Sequence, residues 1–333
     1  MINLKNSIST NRILICGLGS IGSRHLRLIK EFYPSIKIGL LRSGKGNYRP
    51  ESLLADFEFK EINDSIKWRP NGVIISSPAI IHLKQALLFL KNKIPVFIEK
   101  PLGIGLGEDK LIEEIKSLRE EIPVLVGYVF RFEKCLQVLR KYIQNKSLGV
   151  LVDADFYCGS WLPSWRQDFN YEGTVSARKN LGGGALLELS HELDIANWIF
   201  GKLKIRSAYL SDSKLLNIDV EDKVYIVAEN DEGLVITIRL NFCTQPSRRI
   251  IIVRGAKGEI ITNLLKGEII LNSIDKTESL IQNNYNYNYN YKLQIDNFIE
   301  CIEGLAEPIC SFQDGVNVLE LIAKVREKSN LNC

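Results

Sequence analysis

Arg12-Ile13-Leu14-Ile15-Cys16 runs without a break into Gly17-Leu18-Gly19-Ser20-Ile21-Gly22, and on into Ser23-Arg24-His25-Leu26-Arg27-Leu28-Ile29-Lys30. An apolar strand, a glycine-rich turn and an amphipathic helix in that order constrain the fold more than any other segment. Gly17 permits the tight turn, Gly19 lets a pyrophosphate approach the backbone, and Gly22 lets the helix pack closely on the strand. The helix start at Ser20 and Ile21 then offers unpaired N–H groups to an anion. G-x-G-x-x-G alone is a weak signature, because glycine-rich turns recur in many folds. With the strand before it and the helix after it, the segment predicts a dinucleotide and redox chemistry.

Past this turn, short apolar runs alternate with amphipathic stretches, the pattern of parallel βαβ units. Strands are expected at 36–41, 72–77, 95–98 and 124–128, and helices at 82–91 and 108–118. In such a doubly wound sheet, ligands bind beyond the carboxyl ends of the strands. Ser76-Ser77-Pro78, Glu99-Lys100-Pro101 and Tyr128 fall there, and His82 opens the helix that follows Pro78. His25, just past the glycines, is expected to meet a phosphate. The end of the second strand bears on the nucleotide. NAD enzymes commonly place an acid about 20 residues past the glycines, to accept from the ribose 2′-hydroxyl. This chain has Leu41-Arg42-Ser43-Gly44-Lys45 instead, a guanidinium, a hydroxyl and an ammonium that suit a 2′-phosphate. NADP is preferred over NAD on that ground; a solvated basic loop is the alternative reading of Arg42 and Lys45.

With 333 residues, 45% of them hydrophobic, the chain suits two domains, each with its own core. Its 43 basic and 39 acidic residues are mixed along the sequence, so no basic stripe points to nucleic acid. Residues 1–10 are polar and lack the apolar centre of a secretory signal, and no apolar run reaches the length of a membrane span. A cytoplasmic protein without a membrane partner is expected. Seven cysteines are scattered singly, without C-x-x-C pairs or clustered histidines. Neither a disulfide framework nor a metal site is expected, and free thiols suit a reducing compartment.

From about residue 150 the pattern changes to longer alternating strands, at 151–158, 205–211, 223–230, 234–243, 249–254 and 258–263, with a hairpin turn at Asp231-Glu232-Gly233. A mostly antiparallel sheet follows, one face on helices and the other open. Val235, Ile236, Ile238 and Leu240 are assigned to the open face, which predicts a sheet-to-sheet homodimer or homotetramer. The asparagine–tyrosine alternation over 283–291 reads as a surface loop before a helix at 293–303.

Three motifs in order, Gly17 to Gly22, Glu99-Lys100-Pro101, and Gly182-Gly183-Gly184 leading to His191-Glu192-Leu193-Asp194, carry a resemblance. Over nearly its whole length the chain resembles the Gfo/Idh/MocA oxidoreductases, named for glucose-fructose oxidoreductase and inositol dehydrogenase. The resemblance implies an N-terminal Rossmann domain, a doubly wound parallel sheet over residues 1–127. It implies a C-terminal α/β domain over 128–333, with a large, mostly antiparallel open sheet for substrate binding and oligomerisation. It also implies a nicotinamide nucleotide and hydride transfer at a hydroxyl carbon of a sugar, inositol or nucleotide sugar. Expected at the cofactor are Gly17, Gly19, Ser20, Ile21, Gly22, Arg42, Ser43, Ser76, Ser77, Pro78, His82, Glu99 and Lys100.

Oxidising a secondary alcohol needs a base for the hydroxyl proton and a positive charge beside the developing alkoxide. Lys100, held extended by Pro101, fits the second role; in the family this lysine contacts substrate hydroxyl and nicotinamide together. His191 fits the first, in a helix expected from Ala185 to Phe200 and ending at Gly201. Helical spacing puts Glu188, His191 and Glu192 on one face, with Glu188 as the catalytic or substrate-orienting carboxylate and Glu192 the second candidate. Many members carry aspartate four residues before the histidine, whereas Glu188 stands three before it. Val129 likewise stands where an asparagine is frequent. A subgroup resembling surface-polysaccharide sugar-pathway proteins carries a W-R…Y…S-A-R run like Trp165-Arg166, Tyr171 and Ser176-Ala177-Arg178. Tyr128, Arg131, Trp165, Arg166, Arg178, Glu188 and His191 are the expected substrate contacts, with packing as the alternative for the tryptophans and arginines. Two rival functions remain open: a catalytically silent nucleotide-binding regulator, and a lyase or epimerase using transient nicotinamide redox.

Overall fold

A computed structural model describes residues 9–44, 49–105, 107–165, 170–274, 276–282 and 286–330. Lys45, Arg166 and the first residues of the asparagine–tyrosine alternation lie outside the described residues. The first elements are β1 (Arg12–Cys16), α1 (Ser20–Phe32), β2 (Lys37–Leu41), β3 (Phe57–Phe59), α2 (Ile62–Lys67), β4 (Gly72–Ile75), α3 (His82–Lys91), β5 (Val96–Ile98), α4 (Asp109–Leu118) and β6 (Val124–Val126). After them come α5 (Lys134–Gln144), β7 (Leu151–Trp161), α6 (Ala185–Glu188), α7 (His191–Phe200), β8 (Leu203–Ser211), β9 (Lys223–Asn230) and β10 (Val235–Asn241). The series ends with β11 (Cys243–Gly255), β12 (Gly258–Asn263), β13 (Glu268–Ser273), β14 (Thr277–Gln282), α8 (Tyr287–Ile302) and α9 (Phe312–Asn330).

The chain divides into two compact units. One joins Met1–Gly103, Gly107–Gly127 and Asn288–Gln313; the other joins Ile104–Leu106, Tyr128–Tyr287 and Asp314–Cys333. The first unit holds a six-stranded parallel sheet in the order β3-β2-β1-β4-β5-β6. Apart from the exposed Arg12 that starts β1, its central strands are apolar and buried on both faces, as helices on either side of a parallel sheet require. Chain order reverses across β1 and β4, so the crevice for a ligand opens at Cys16 and Ile75. The segment 288–313, expected in the second domain, packs with the first unit. A Cβ on Gly72, at the start of β4, would lie 2.5 Å from Ile302 and 2.9 Å from Phe298, and Phe298 meets Phe97 of β5 edge-on.

The expected loop over 283–291 needs correction where it is described: α8 begins at Tyr287, and Asn290 and Tyr291 are buried. Tyr291, Gln294, Ile295 and Phe298 repeat at helical spacing and form the buried face. The every-second-residue tyrosines mask that period.

The second unit is built on an eight-stranded sheet in the order β14-β13-β12-β11-β7-β10-β9-β8, antiparallel except where β10 joins β7. The turn at 231–233 joins the antiparallel pair β9–β10. Strands β13 and β14 are additions to the sequence reading. The open-face assignment is also corrected: Ile236, Ile238 and Leu240 are buried beneath α6 and α7, and the exposed face of β10 carries Val235, Thr237 and Arg239. Successive side chains in a strand point to opposite faces, so all four could not share one. Tyr209, opposite Tyr225 on the neighbouring strand, with Val227 and Val235, makes that exposed face part-apolar. Among the described residues, no helix is long and apolar enough to cross a membrane.

Candidate active site

In the first unit the glycine turn is a cradle with three different reasons for glycine. Gly17 has φ +91°, and a Cβ there would sit 3.0 Å from the Ser76 carbonyl oxygen and the Ser77 backbone. Gly22 lies against β1's exit, where a Cβ would come within 2.2 Å of the Gly17 carbonyl oxygen and 2.6 Å of Ser76 Oγ. Gly19 is exposed, with nothing within 4 Å of an added Cβ, and it opens α1 without a side-chain cap. Open space over uncapped N–H groups at Gly19, Ser20 and Ile21 fits a pyrophosphate.

The ends of β4 and β5 are tied together from inside. Ser76 Oγ donates to the carbonyl oxygens of Cys16 and Gly17, both at 3.0 Å, and Ser77 Oγ donates to Gln85 at 2.6 Å. His82, 2% exposed, spans the carbonyl oxygens of Ser77 (2.7 Å) and Pro101 (2.9 Å). Burial pushes its imidazole below the ordinary value, against the pull of those two carbonyls. Pro78 leads into α3. Lys100 is partly exposed, beside a cis bond to Pro101. His25 does not face the anion site: it is fully buried, with Nε2 2.6 Å from Glu99 Oε1, while Glu99 Oε2 accepts the Lys100 backbone N–H at 3.2 Å. Past β2, Arg42 donates its backbone N–H to Phe59, and its guanidinium lies 3.9 Å from Glu58, beyond hydrogen-bond reach. Ser43 beside it is exposed.

In the second unit the chemistry gathers on α7. The helix expected over 185–200 is broken at Leu189-Ser190. Glu188 thus ends one short helix, while His191 and Glu192 open the next. His191 is 6% exposed, and its ring is met nearly perpendicularly by Phe130 (4.9 Å) and Tyr128 (5.6 Å). Tyr128 is fully buried and donates its hydroxyl to Ser190 at 3.4 Å.

Two arginines hold α7 in place. Arg131 Nη2 donates to Asp194 Oδ1 at 2.7 Å and its Nε to both Asp194 oxygens at 3.2 Å, while Nη1 reaches Asp314 at 3.2 Å. Arg249 grips Glu192 with two bonds of 2.6 and 2.9 Å and lies 4.0 Å over the Phe130 ring. Burial opposes the Arg249 charge, and the Glu192 carboxylate more than offsets this, pushing the guanidinium above its ordinary value. Glu192, the second candidate carboxylate, thus holds the helix, whereas Glu188 remains partly exposed.

The glycine run folds the segment before α6 tightly. A Cβ on Gly183 would lie 2.2 Å from the Val175 carbonyl oxygen, and Glu221 presses on Gly184 (φ +110°) while accepting the Leu186 N–H at 3.0 Å. Arg178 on that segment is partly exposed. Trp165 donates its indole N–H to Ser160 at 2.8 Å and packs edge-on to Phe242. Arg249, Phe130 and Glu221 escaped the sequence reading. An arginine at the start of a β-branched run was the one available hint for Arg249.

The NAD-binding Rossmann-fold model of the GFO_IDH_MocA oxidoreductase family matches residues 11–126, and the family's C-terminal alpha/beta domain matches 140–332. The chain is 22% identical over 326 residues to the myo-inositol 2-dehydrogenase of Thermotoga maritima, covering 93% of each chain. It is 24% identical over 195 residues to the 2,7-anhydro-N-acetylneuraminate hydratase of Escherichia coli, covering 56% of this chain and 50% of that protein. The matched region thus spans about half the length of that relative. Among solved structures, the WlbA dehydrogenase from Bordetella pertussis in complex with NADH and UDP-GlcNAcA superposes with a TM-score of 0.80 at 18% identity, over 97% of this chain and 96% of that one. That likeness shows the fold. Matched in both of its parts, the chain belongs to the Gfo/Idh/MocA oxidoreductase family.

Proposed function

We propose that the protein is a nicotinamide-dependent dehydrogenase or reductase that moves hydride between the cofactor and a hydroxyl carbon of a sugar, inositol or nucleotide sugar. The observation that carries this reading is the preparation of His191, an imidazole clamped by two aromatic edges on a helix whose next turn is locked by Arg249 and Arg131. A bound nicotinamide supplies the hydride acceptor or donor. In the oxidative direction His191 takes the hydroxyl proton as the C–H hydride departs, and the Lys100 ammonium favours the alkoxide. Glu188, Arg178 and Arg166 hold the sugar. Tyr128, Arg131 and Trp165 complete the substrate contacts; their hydrogen-bonding groups are engaged within the protein, so the aromatic faces of Tyr128 and Trp165 would meet the sugar ring.

NADP is preferred, because the Arg42 guanidinium keeps hydrogen-bond donors for a 2′-phosphate and Ser43 is exposed beside it. Buried thiols at Cys16, Cys135, Cys158, Cys301 and Cys310 suit a reducing compartment, so we place the enzyme in the cytoplasm, which cell fractionation checks. The exposed sheet face with Tyr209, Tyr225, Val227 and Val235 joins copies into a homodimer or homotetramer.

The test is a titration with NADPH and NADH, followed by a panel of free sugars, inositols and nucleotide sugars read by reduced-nicotinamide absorbance. Lys100→Ala should leave nucleotide affinity within about threefold and remove turnover at least about a hundredfold. Unchanged turnover would sink the assignment. The hydratase relative favours a second reading, a net non-redox reaction; product formed without change in free cofactor would establish that one instead.

A further inference from the structure

A carboxylate and an imidazole lie buried behind Lys100. Glu99 is 4% exposed and has both oxygens engaged, one on His25 Nε2 and the other on the Lys100 backbone N–H. His25 stands on α1 one turn past Gly22, its ring met edge-on by Phe97 of β5 at 5.1 Å and Tyr291 of α8 at 5.8 Å. Its Nδ1 is buried and meets no hydrogen-bond partner among the described residues, so the pair is satisfied with the proton on Nε2, donated to Glu99. Gly127, just past β6, leaves the carboxylate its room: a Cβ there would lie 2.8 Å from Glu99 Oε2 and 3.0 Å from Glu99 Cα.

We infer that His25 and Glu99 form a positioning pair that ties the dinucleotide helix to the main chain of Lys100. A carboxylate oxygen grips an N–H strongly away from water, so the Lys100 backbone is held at one place. The other end of the pair rides on α1, whose first turn is the cradle at Gly19 to Gly22. The placement of the lysine therefore follows the helix that holds the nucleotide, with no side chain of the pair touching substrate. A misplacement of about 1 Å can cost a reaction about a hundredfold, which makes such a tie worth conserving geometrically. The inference rests on Lys100 serving the reaction as proposed above.

Its test does not need turnover. Amide hydrogen exchange on the full chain, resolved at the Lys100 N–H, should speed up about tenfold or more in His25→Leu, and recover in His25→Gln, whose amide can still donate to Glu99. Gly127→Ala removes no polar group and crowds Glu99 Oε2, so it should speed the same amide even where His25→Leu fails to fold. On a sugar the wild type oxidises, both variants should lower kcat by about ten- to a hundredfold with sugar KM within about threefold. Unchanged Lys100 exchange in the folded variants overturns the positioning pair, as does a lower melting temperature with kcat intact. A wild type inactive on every sugar refutes the proposed function instead, and the exchange rates still decide the pair.

Discussion

Replacing Arg249 by methionine removes the one ion-pair partner that the Glu192 carboxylate has among the described residues. The Glu192 side chain is 2% exposed, and both its oxygens are bonded to Arg249. Breaking such a pair from one side leaves a buried charge uncompensated, at a cost of about 3–5 kcal/mol. The cation lying 4.0 Å over Phe130 is lost as well, although methionine keeps contact with the ring. With about 2–4 °C of melting temperature per kcal/mol for a unit of this size class, Arg249→Met should melt on the order of 10 °C lower. Adding Glu192→Leu replaces both charges by apolar groups, and the double variant should return to within about 1–2 kcal/mol of wild type. Urea unfolding followed by tryptophan fluorescence reads both, since Trp198 lies on α7 itself. A cost below about 1 kcal/mol for Arg249→Met, or a double variant no more stable than the single, would refute the claim that this ion pair locks the helix beneath His191.

The glycine cradle separates fold from function. Gly22→Ala puts a methyl 2.2 Å from a backbone oxygen and should cost about 1–3 kcal/mol, whereas Gly19→Ala meets nothing and should melt as wild type yet bind NADPH or NADH at least about tenfold more weakly. Equal nucleotide affinity in Gly19→Ala would remove the pyrophosphate from that turn. Burial pushes the Cys135 and Cys301 thiols up to about 12, with nearby glutamates adding to the effect. Unfolded thiols ionise near about 8.5, so this part of the stability is present below that pH and is lost as pH rises toward 12. Melting temperature should fall steadily above about pH 9, and these thiols should stay silent to a disulfide reagent at pH 8 until the chain unfolds; a flat alkaline profile contradicts their burial. Tyr225→Asp on the exposed sheet face should shift sedimentation toward monomer, and an unchanged sedimentation coefficient would move the subunit contact elsewhere.

Much of the first unit is legible in the sequence because its cause is local. A parallel strand covered on both faces must be apolar where it is buried, and β1 from Ile13, β4 and β5 read that way; Gly17 and Gly22 mark places a side chain cannot enter without strain or a clash. The second unit is less legible. Alternation locates strands but not which face is covered, so the inward set Ile236, Ile238 and Leu240 was expected outward. A segment such as 185–200, with apolar residues at helical spacing, reads as one helix, and Leu189 stays buried at the break, so the hydrophobic pattern does not announce it.

By itself the sequence determined the parallel sheet order's starting motif, the turn that receives a dinucleotide and the strand end that carries Lys100, since each depends on residues adjacent in the chain. Only the tertiary structure decided that His25 turns inward to Glu99, 74 residues away, and that Glu192 answers to Arg249, 57 residues away. The physical reason is that a charge buried by folding must find its partner in space. Which partner it finds depends on which surfaces the elements bury together, and a period of 2 or 3.6 along the chain carries no record of that.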